Sequence, residues 1–382
     1  MISEMDRSSI STNAFHDLAR EVYCILGLPV DAIELDEVLQ RLAKAAHEAA
    51  PFVMSTPNLN FLVNSQADPA FRESMLISNL CPADGVPIVW IARLLGIPIR
   101  GRLAGSDIFD ALKARHPSAT PLKVFLFGGP QGIAAKACNT INEQHSGVRC
   151  VGALCPGFGS IDEMSQDTII QAINASHADF LVVALGAKKG QHWLLYNHNR
   201  LTIPLRSHLG AVINFQANAV KRAPSWVRRC GLEWLWRIKE EPYLWQRYWH
   251  DAIVLIRLLF TRVLPLAIRT RLQQIRYARG EHDLAIENRR YDNTFVFTLR
   301  GLATARQVQK AIPMFTSAVG HARNIVIDLS GVRVLDARFL GLILMLRKCL
   351  KEQGATLTLA RASPTLRKLI RLHCVEFLLV EK

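Results

Sequence analysis

The chain lacks paired cysteines, a leader-like start and any long apolar run free of charge. Its eight cysteines (Cys24, Cys81, Cys138, Cys150, Cys155, Cys230, Cys349, Cys374) include no CxxC pair. That argues against a zinc site or a disulfide framework and for reduced, mostly buried thiols. Cys150 and Cys155 lie closest together, with no second ligand pair nearby. Residues 1–20 are polar, carry Glu4, Asp6 and Asp17, and lack the basic start and apolar stretch of a signal peptide. A cytoplasmic location is therefore expected. No GxGxxG follows a strand-like run, which removes the main signature of a dinucleotide-dependent oxidoreductase.

Acidic residues are also scarce relative to basic ones, leaving a net charge of +14. Lys221–Arg279 holds 13 Lys/Arg against 4 Asp/Glu, or +9 of that total. Such a concentration calls for a polyanionic partner: nucleic acid, anionic lipid or a phosphorylated substrate.

What is present divides into three stretches. From about residue 21 to 219, apolar strand-like runs alternate with helical patterns. Lys123–Phe127 leads into Gly128-Gly129-Pro130, and Phe180–Leu185 leads into Gly186. Strand, glycine turn, helix is the repeat of a parallel α/β sheet, whose ligands sit at the carboxyl ends of the strands. Residues 220–280 crowd Trp226, Trp234, Trp236, Trp245 and Trp249 among Arg228, Arg229, Arg237 and Arg247, before an apolar run, Ala252–Ile268. That run holds eleven Leu/Ile/Val/Phe but also Arg257, Arg262 and Pro265. The apolar residues favour insertion by roughly 3–7 kcal/mol and the two arginines oppose it by about 5–7 kcal/mol, so lying in the interface is favoured over spanning. Arg262, Arg269 and Arg276 recur every seven residues and would share a helix face. A buried core helix with a solvated arginine stripe is the plainer alternative. Nucleic acid would suit the Trp/Arg stretch but leaves the apolar run without a purpose, so no nucleic-acid partner is expected.

Residues 281–382 read as a small α/β domain after a polar breaker, Gly280-Glu281-His282-Asp283. Strands are expected at Phe295–Leu299, Asn324–Leu329, Thr356–Ala360 and Glu376–Val380. Helices are expected at Ala305–Val319, Arg338–Lys351 and Thr365–Leu372.

Six motifs occur in order: Thr56-Pro57-Asn58, Ala83-Asp84-Gly85, Arg102-Leu103-Ala104-Gly105-Ser106-Asp107, Lys221-Arg222-Ala223-Pro224, Gly231-Leu232-Glu233-Trp234-Leu235-Trp236-Arg237 and Glu241-Pro242. Together they resemble the WecG/TagA/CpsF glycosyltransferase family from about residue 27 to 248. The resemblance implies a Rossmann-like parallel-sheet domain with a basic amphipathic appendage. It also implies inverting, metal-independent transfer from a UDP-sugar (hexose, N-acetylhexosamine or uronic acid) to an undecaprenyl-diphosphate-linked sugar, on the inner face of the cytoplasmic membrane. No cofactor is expected. The family's base would be Asp84, since a sugar hydroxyl is a poor nucleophile until a carboxylate takes its proton. Read alone, Asp84 would merely cap a turn before Gly85. Thr56 and Asn58 would line the pocket, Arg102 would hold phosphate oxygens, and Arg237 and Arg247 would close over the acceptor diphosphate. Gly128 and Gly129 allow close backbone approach to a ligand. Three places depart from the family pattern. The usual Gly-x-Pro-Lys-Gln-Glu-x-Trp reads Gly186-Ala187-Lys188-Lys189-Gly190-Gln191-His192-Trp193, Phe-Asp reads Ile213-Asn214, and Gly-Tyr reads Gly157-Phe158. Lys189, Gln191 and Asn214 stay on the substrate-binding set, with the donor sugar the property most exposed to these changes.

The C-terminal stretch resembles a STAS domain through Ile327-Asp328-Leu329-Ser330-Gly331-Val332 and Leu335-Asp336-Ala337-Arg338-Phe339-Leu340-Gly341-Leu342. STAS regulators typically read Asp-Ser-Ser-Gly there, and one of those serines is phosphorylated. Here Ala337, Arg338 and Phe339 replace Ser-Ser-Gly, so a phospho-switch at that point is excluded. Docking of a partner, self-association or a structural role remains. A catalytically silent scaffold acting through this domain is the alternative to the enzyme.

Overall fold

A computed structural model describes residues 16–115, 120–277, 283–321 and 324–380. The breaker residues 280–282 and most of the N-terminal polar segment lie outside them, as do Arg279 and the side chain of Arg229. Contacts divide the chain into a central unit, Ile33–Val89 with Arg100–Leu255, and a terminal unit, Met1–Ala32 with Trp90–Ile99 and Ile256–Lys382. The basic stretch 220–280 is thus shared between the two, and the first strands of the chain go with its end.

The strands in chain order are β1 (Val22–Ile25), β2 (Leu28–Asp31), β3 (Phe52–Met54), β4 (Leu122–Gly128), β5 (Val148–Leu154), β6 (Phe180–Ala184), β7 (Leu205–His208), β8 (Leu284–Tyr291), β9 (Thr294–Ala303), β10 (Asn324–Leu335) and β11 (Thr356–Ala360). In the central unit the order is β3-β7-β6-β4-β5, every pair parallel. Alternation along β4 and β6 explains why both faces need cover. Val124, Leu126, Phe180 and Val182 pack on helices Ile133–Glu143 and Gly210–Gln216 through Ala137, Ile141, Val212 and Ile213. Phe125, Phe127, Leu181 and Val183 pack on helices Asp167–Ala175 and Ala187–Tyr196 through Ile170, Ile173, Trp193 and Leu194. From β4 the chain moves on to one side of the sheet and from β6 to the other. The switch point between these strands is where parallel α/β sheets take their ligands, at the carboxyl ends.

Cys138 is disulfide-bonded to Cys150, with Cα atoms 5.2 Å apart, correcting the expectation of reduced thiols. Helix Ile133–Glu143 lies along β5, so Cys138 and Asn142, one turn apart, both face Cys150. Asn142 bonds the Cys150 backbone at 3.0 and 2.9 Å.

In the terminal unit the sheet order is β11-β10-β9-β8, with β8 antiparallel to β9. Strand β8 was not visible in the sequence because Glu287, Asn288, Arg289 and Arg290 face solvent on an edge. The strand expected at Glu376–Val380 is instead a 3-10 turn, Glu376–Leu378, with one bridge from Leu379 to Leu359. Cys374, at φ 57°, turns the chain before a strand can start. β1 and β2 form a hairpin whose two turn residues, Leu26 and Gly27, both have positive φ, the geometry of a two-residue turn.

That hairpin lies on the STAS-like helix Ala337–Glu352. A Cβ on Gly341 would sit 2.0 Å from the Val22 carbonyl oxygen, so only glycine fits. Arg338 donates to the carbonyls of Val22 (3.2 Å) and Arg20 (3.0 Å). Asp336 caps the helix by accepting from Phe339 N at 2.8 Å. Beneath runs a buried ion cluster: Lys348 to Asp17 (2.7 Å), and Arg20 to Asp17 (3.0 Å) and Asp31 (2.8 Å). Arg338 thus ties strands β1 and β2 to the start of this helix.

Among the described residues, no helix is long and apolar enough to cross a membrane. Helix Trp245–Leu258 passes through a π turn, Leu259–Val263, into helix Leu264–Arg276. Pro265 falls in the first turn of the last helix, where its missing N–H costs little, so it does not break the run. Arg262 donates to the Arg371 carbonyl, so it does not share the role of Arg269 and Arg276 expected from the seven-residue spacing.

Candidate active site

The carboxyl ends of the five central strands all face one way and bring most of the expected residues to one edge. Thr56 and Asn58 follow β3, and the Gly128-Gly129 turn ends β4. Lys189 and Gln191 lie on the helix after β6, and Asn214 on the helix after β7. Gly128 and Gly129 both have positive φ, and Gly129 N bonds Ala184 O at 2.9 Å. A Cβ on Gly128 would meet the Ala184 carbonyl oxygen at 2.5 Å, so glycine is required to bring β4 and β6 together at the switch point. A Cβ on Gly129 would lie 3.5 Å from Ile213, the neighbour of Asn214.

Asp84 lies beside the β3 turn. Its N–H bonds Pro57 O at 2.9 Å, and Gly85, at φ 90°, packs beside the other motif, where an added Cβ would lie 3.4 Å from Asn58 Cβ. The next motif is joined by Leu103 N bonding Ala83 O at 2.8 Å. The Asp84 carboxylate accepts no hydrogen bond among the described residues. Burial pushes its pKa up to about 7, against the pull of Arg102 and Arg237 and with the push of Glu233 and Asp107. A carboxylate of that pKa divides between its two protonation states at neutral pH, which is the condition for an efficient general base.

Around it the arginines are held by carboxylates. Arg102 pairs with Glu233 and, at 3.2 Å, with Asp107. Burial disfavours the Arg102 charge, yet Glu233, Asp84 and Asp107 together more than offset this and hold its pKa above the ordinary value. Asp107 also holds Arg222 and, at 3.0 Å, Arg228, while Arg222 reaches on to Asp110. Arg237 pairs with Glu241 at 3.1 Å. The Nε atoms of Arg222, Arg228 and Arg237 are buried without a partner. Three orphaned guanidinium donors leave unmet capacity for an anion.

Other expected residues stand differently. Asn58 caps helix Leu59–Ala67, its side chain accepting from Phe61 N at 3.1 Å. Thr56 is buried. Gln191 is fully buried and bonds Ser55 at 3.1 Å. Lys189 donates to Gly159 O at 2.9 Å. Arg247 is exposed, 5.0 Å from the Tyr248 ring centroid. Phe158, where the family pattern has Tyr, is fully exposed.

Sequence reasoning missed Glu233, Asp107, Arg222, Arg228 and Asp251 as working parts. The first three stood inside the quoted motifs, but only the fold reveals that they pair. Asp251 is buried, its pKa raised by that burial, and its two oxygens take Asn60 Nδ2 at 3.3 and 3.1 Å. It thereby ties helix Trp245–Leu258 to the helix that Asn58 caps. Among the described residues no three His, Cys, Asp or Glu side chains are grouped to hold a metal ion.

A doubly covered parallel sheet with a switch point, and a carboxylate of raised pKa near arginines, are the framework of an α/β transferase. Residues 23–267 match the Glycosyl transferase WecG/TagA/CpsF family, and the chain belongs to that family. Residues 287–380 match the STAS domain described as Mlab, STAS domain, so the chain joins both. Among similar proteins is the N-acetylglucosaminyldiphosphoundecaprenol N-acetyl-beta-D-mannosaminyltransferase of Bacillus subtilis, 27% identical over 51% of this chain and 74% of that one. Proteins of the same name from Bacillus spizizenii (24% identical, 53% and 75% covered) and Staphylococcus aureus (23%, 56% and 82%) also match. A solved structure of the anti-sigma factor antagonist SpoIIAA in its unphosphorylated form aligns with a TM-score of 0.24 at 20% identity, over 26% of this chain and 88% of that one.

Proposed function

We propose that the chain transfers a sugar from a UDP-sugar to a polyprenyl-diphosphate-linked sugar, with inversion and without a metal, in the making of a surface polysaccharide. The acceptor hydroxyl oxygen bonds to the anomeric carbon as the bond from that carbon to the UDP oxygen breaks. Asp84 takes the hydroxyl proton, and UDP leaves as an anion beside the arginines. The observation that carries this reading is Asp84 itself: a partly buried carboxyl of pKa about 7, without a hydrogen bond, beside Arg102 and Arg237. The names of the matched relatives support the acceptor class. Arg102, Arg222, Arg228 and Arg237 offer the positive charge that a leaving diphosphate needs, the service a metal ion performs elsewhere.

Attachment to an anionic membrane fits the exposed rows. Trp245, Trp249, Ile253 and Ile256 face out from one helix, and Ile268, Leu272 and Ile275 from the next, each at three- or four-residue spacing. Arginines flank both rows.

The test is UDP release from a panel of UDP-sugars, with a short-chain polyprenyl-diphosphate sugar as acceptor. Acceptor-dependent release should fall by about 10²–10⁴ in Asp84→Asn. Unchanged release in that variant would reject Asp84 as the base. Chelator in the same assay should leave the rate as it was, whereas a loss restored by added divalent cation would reject the metal-free scheme.

A further inference from the structure

The four arginines of the site are all matched by carboxylates. Arg102 pairs with Glu233, Arg222 with Asp110, Arg228 with Asp107 and Arg237 with Glu241, so four positive charges meet four negative ones and cancel. A diphosphate entering the site therefore finds no net charge to draw it in until one carboxylate gives way. The three unpartnered Nε atoms offer donors but no spare charge. How firmly each carboxylate is held decides which one leaves. Asp107 and Asp110 stand on helix Gly105–Ala114, anchored by the buried Ile108, Phe109 and Leu112. Asp107 also joins three arginines at once. Glu241 lies one turn from Arg237 on the same segment, and its second oxygen takes the Tyr243 hydroxyl at 2.7 Å.

Glu233 is held by far less. Among the described residues its carboxylate takes a hydrogen bond from Arg102 alone, across 131 residues of chain. It opens helix Glu233–Glu240, which buries none of its residues and leaves Trp234 and Leu235 nearly half exposed. Gly231, at φ 75°, fixes the chain two residues earlier, where an added Cβ would lie 2.7 Å from Val86. Glu233 thus leaves Arg102 by turning its own side chain, with the backbone before it undisturbed. A glutamate carboxylate offers a guanidinium the same two-oxygen face as a phosphate. A diphosphate carries more charge than the single carboxylate it replaces, so the exchange runs towards the ligand.

We infer that Glu233 is a gate in the place of a phosphate: it holds Arg102 in the empty site and is displaced when a diphosphate takes the guanidinium. This rests on the glycosyltransferase reading above and adds a regulated step to it. UDP and a polyprenyl acceptor carry the same diphosphate chemistry, and separate titrations tell them apart. UDP and farnesyl diphosphate are each titrated by calorimetry into the full-length protein, with and without Glu233→Gln, which keeps the size of the side chain and removes its charge. An ion pair that merely held the arginine in place would weaken binding when lost. The gate requires the opposite sign: one or both ligands should bind about tenfold tighter to Glu233→Gln. Tightening of UDP alone places Arg102 on the donor, tightening of farnesyl diphosphate alone places it on the acceptor, and tightening of both makes it common to the two. Carbon NMR of the Glu233 carboxylate in the unaltered protein reads the same exchange without a variant, and its resonance should move as the tighter ligand binds. Unchanged or weaker binding of both ligands in Glu233→Gln, or an unmoved Glu233 resonance in the ligand-bound protein, overturns the gate and leaves the transferase reading standing. Failure of both proteins to bind either ligand overturns that reading, and the gate with it.

Discussion

At Asp84, burial, Glu233 and Asp107 raise the pKa while Arg102 and Arg237 lower it, and burial wins. Two pH effects follow with opposite sense. Transfer should rise with pH through about 7 as the base loses its proton, and Asp84→Asn should lack that limb. Stability should move the other way. The folded chain holds this proton above the pH at which an unfolded aspartate has lost it, so raising pH from about 4 to 7 works against folding. The melting temperature of Asp84→Asn should therefore exceed that of wild type at pH 8 and match it at pH 4. Gly190 offers a separate test. Gly190→Ala should cost about 1–3 kcal/mol in denaturant unfolding because its methyl meets the His208 ring. The cost should shrink in a His208→Ala background, as paired contacts require.

The helix Gly105–Ala114 shows how an element works on both sides. Ile108, Phe109 and Leu112 bury one face against the sheet, while Asp107 and Asp110 on the other hold Arg222 and Arg228. Asp107→Ala should cost about 1–3 kcal/mol and expose residues 220–245 to faster limited proteolysis. Unaltered cleavage there would mean the appendage is held by other contacts. What was legible in the sequence follows the same division. Strands β4 and β6 were readable because both their faces are apolar and glycines end them. The edge strand β8 was not, since an edge tolerates polar residues on both faces. Asp84 and Arg102 stood out through motif order, but their partners Glu233 and Asp107 lie 149 and 23 residues from Asp84 in the chain, beyond the reach of local pattern. The packing of His208 against Gly190 carried no signal at all, because the two lie on different elements. The Cys138–Cys150 pair was hidden because no spacing rule foretells that a helix will lie along the following strand.

In the terminal unit the clasp of β1 and β2 on helix Ala337–Glu352 depends on buried charge. Burial works to raise the Asp17 pKa, but Lys348 and Arg20 outweigh it and hold it below the usual carboxylate range. Its stabilisation is complete above an ordinary aspartate pKa and disappears as pH falls through the lowered native value. Lys348→Ala leaves Asp17 and Arg20 imperfectly matched and should cost about 3–5 kcal/mol, read by denaturant unfolding. A cost under about 1 kcal/mol would mean the cluster contributes little. Arg338 donates its bond to Val22 across 316 residues. At ribosomal speeds of about 5–20 residues per second, the first strands wait roughly 15–60 s for the helix that covers them. Through that interval Val22, Cys24, Ile25 and Leu28, all fully buried in the finished fold, have nothing to lie against. The start of the chain is therefore the last part to find its place, and a ribosome that stops early releases a product whose beginning is sticky.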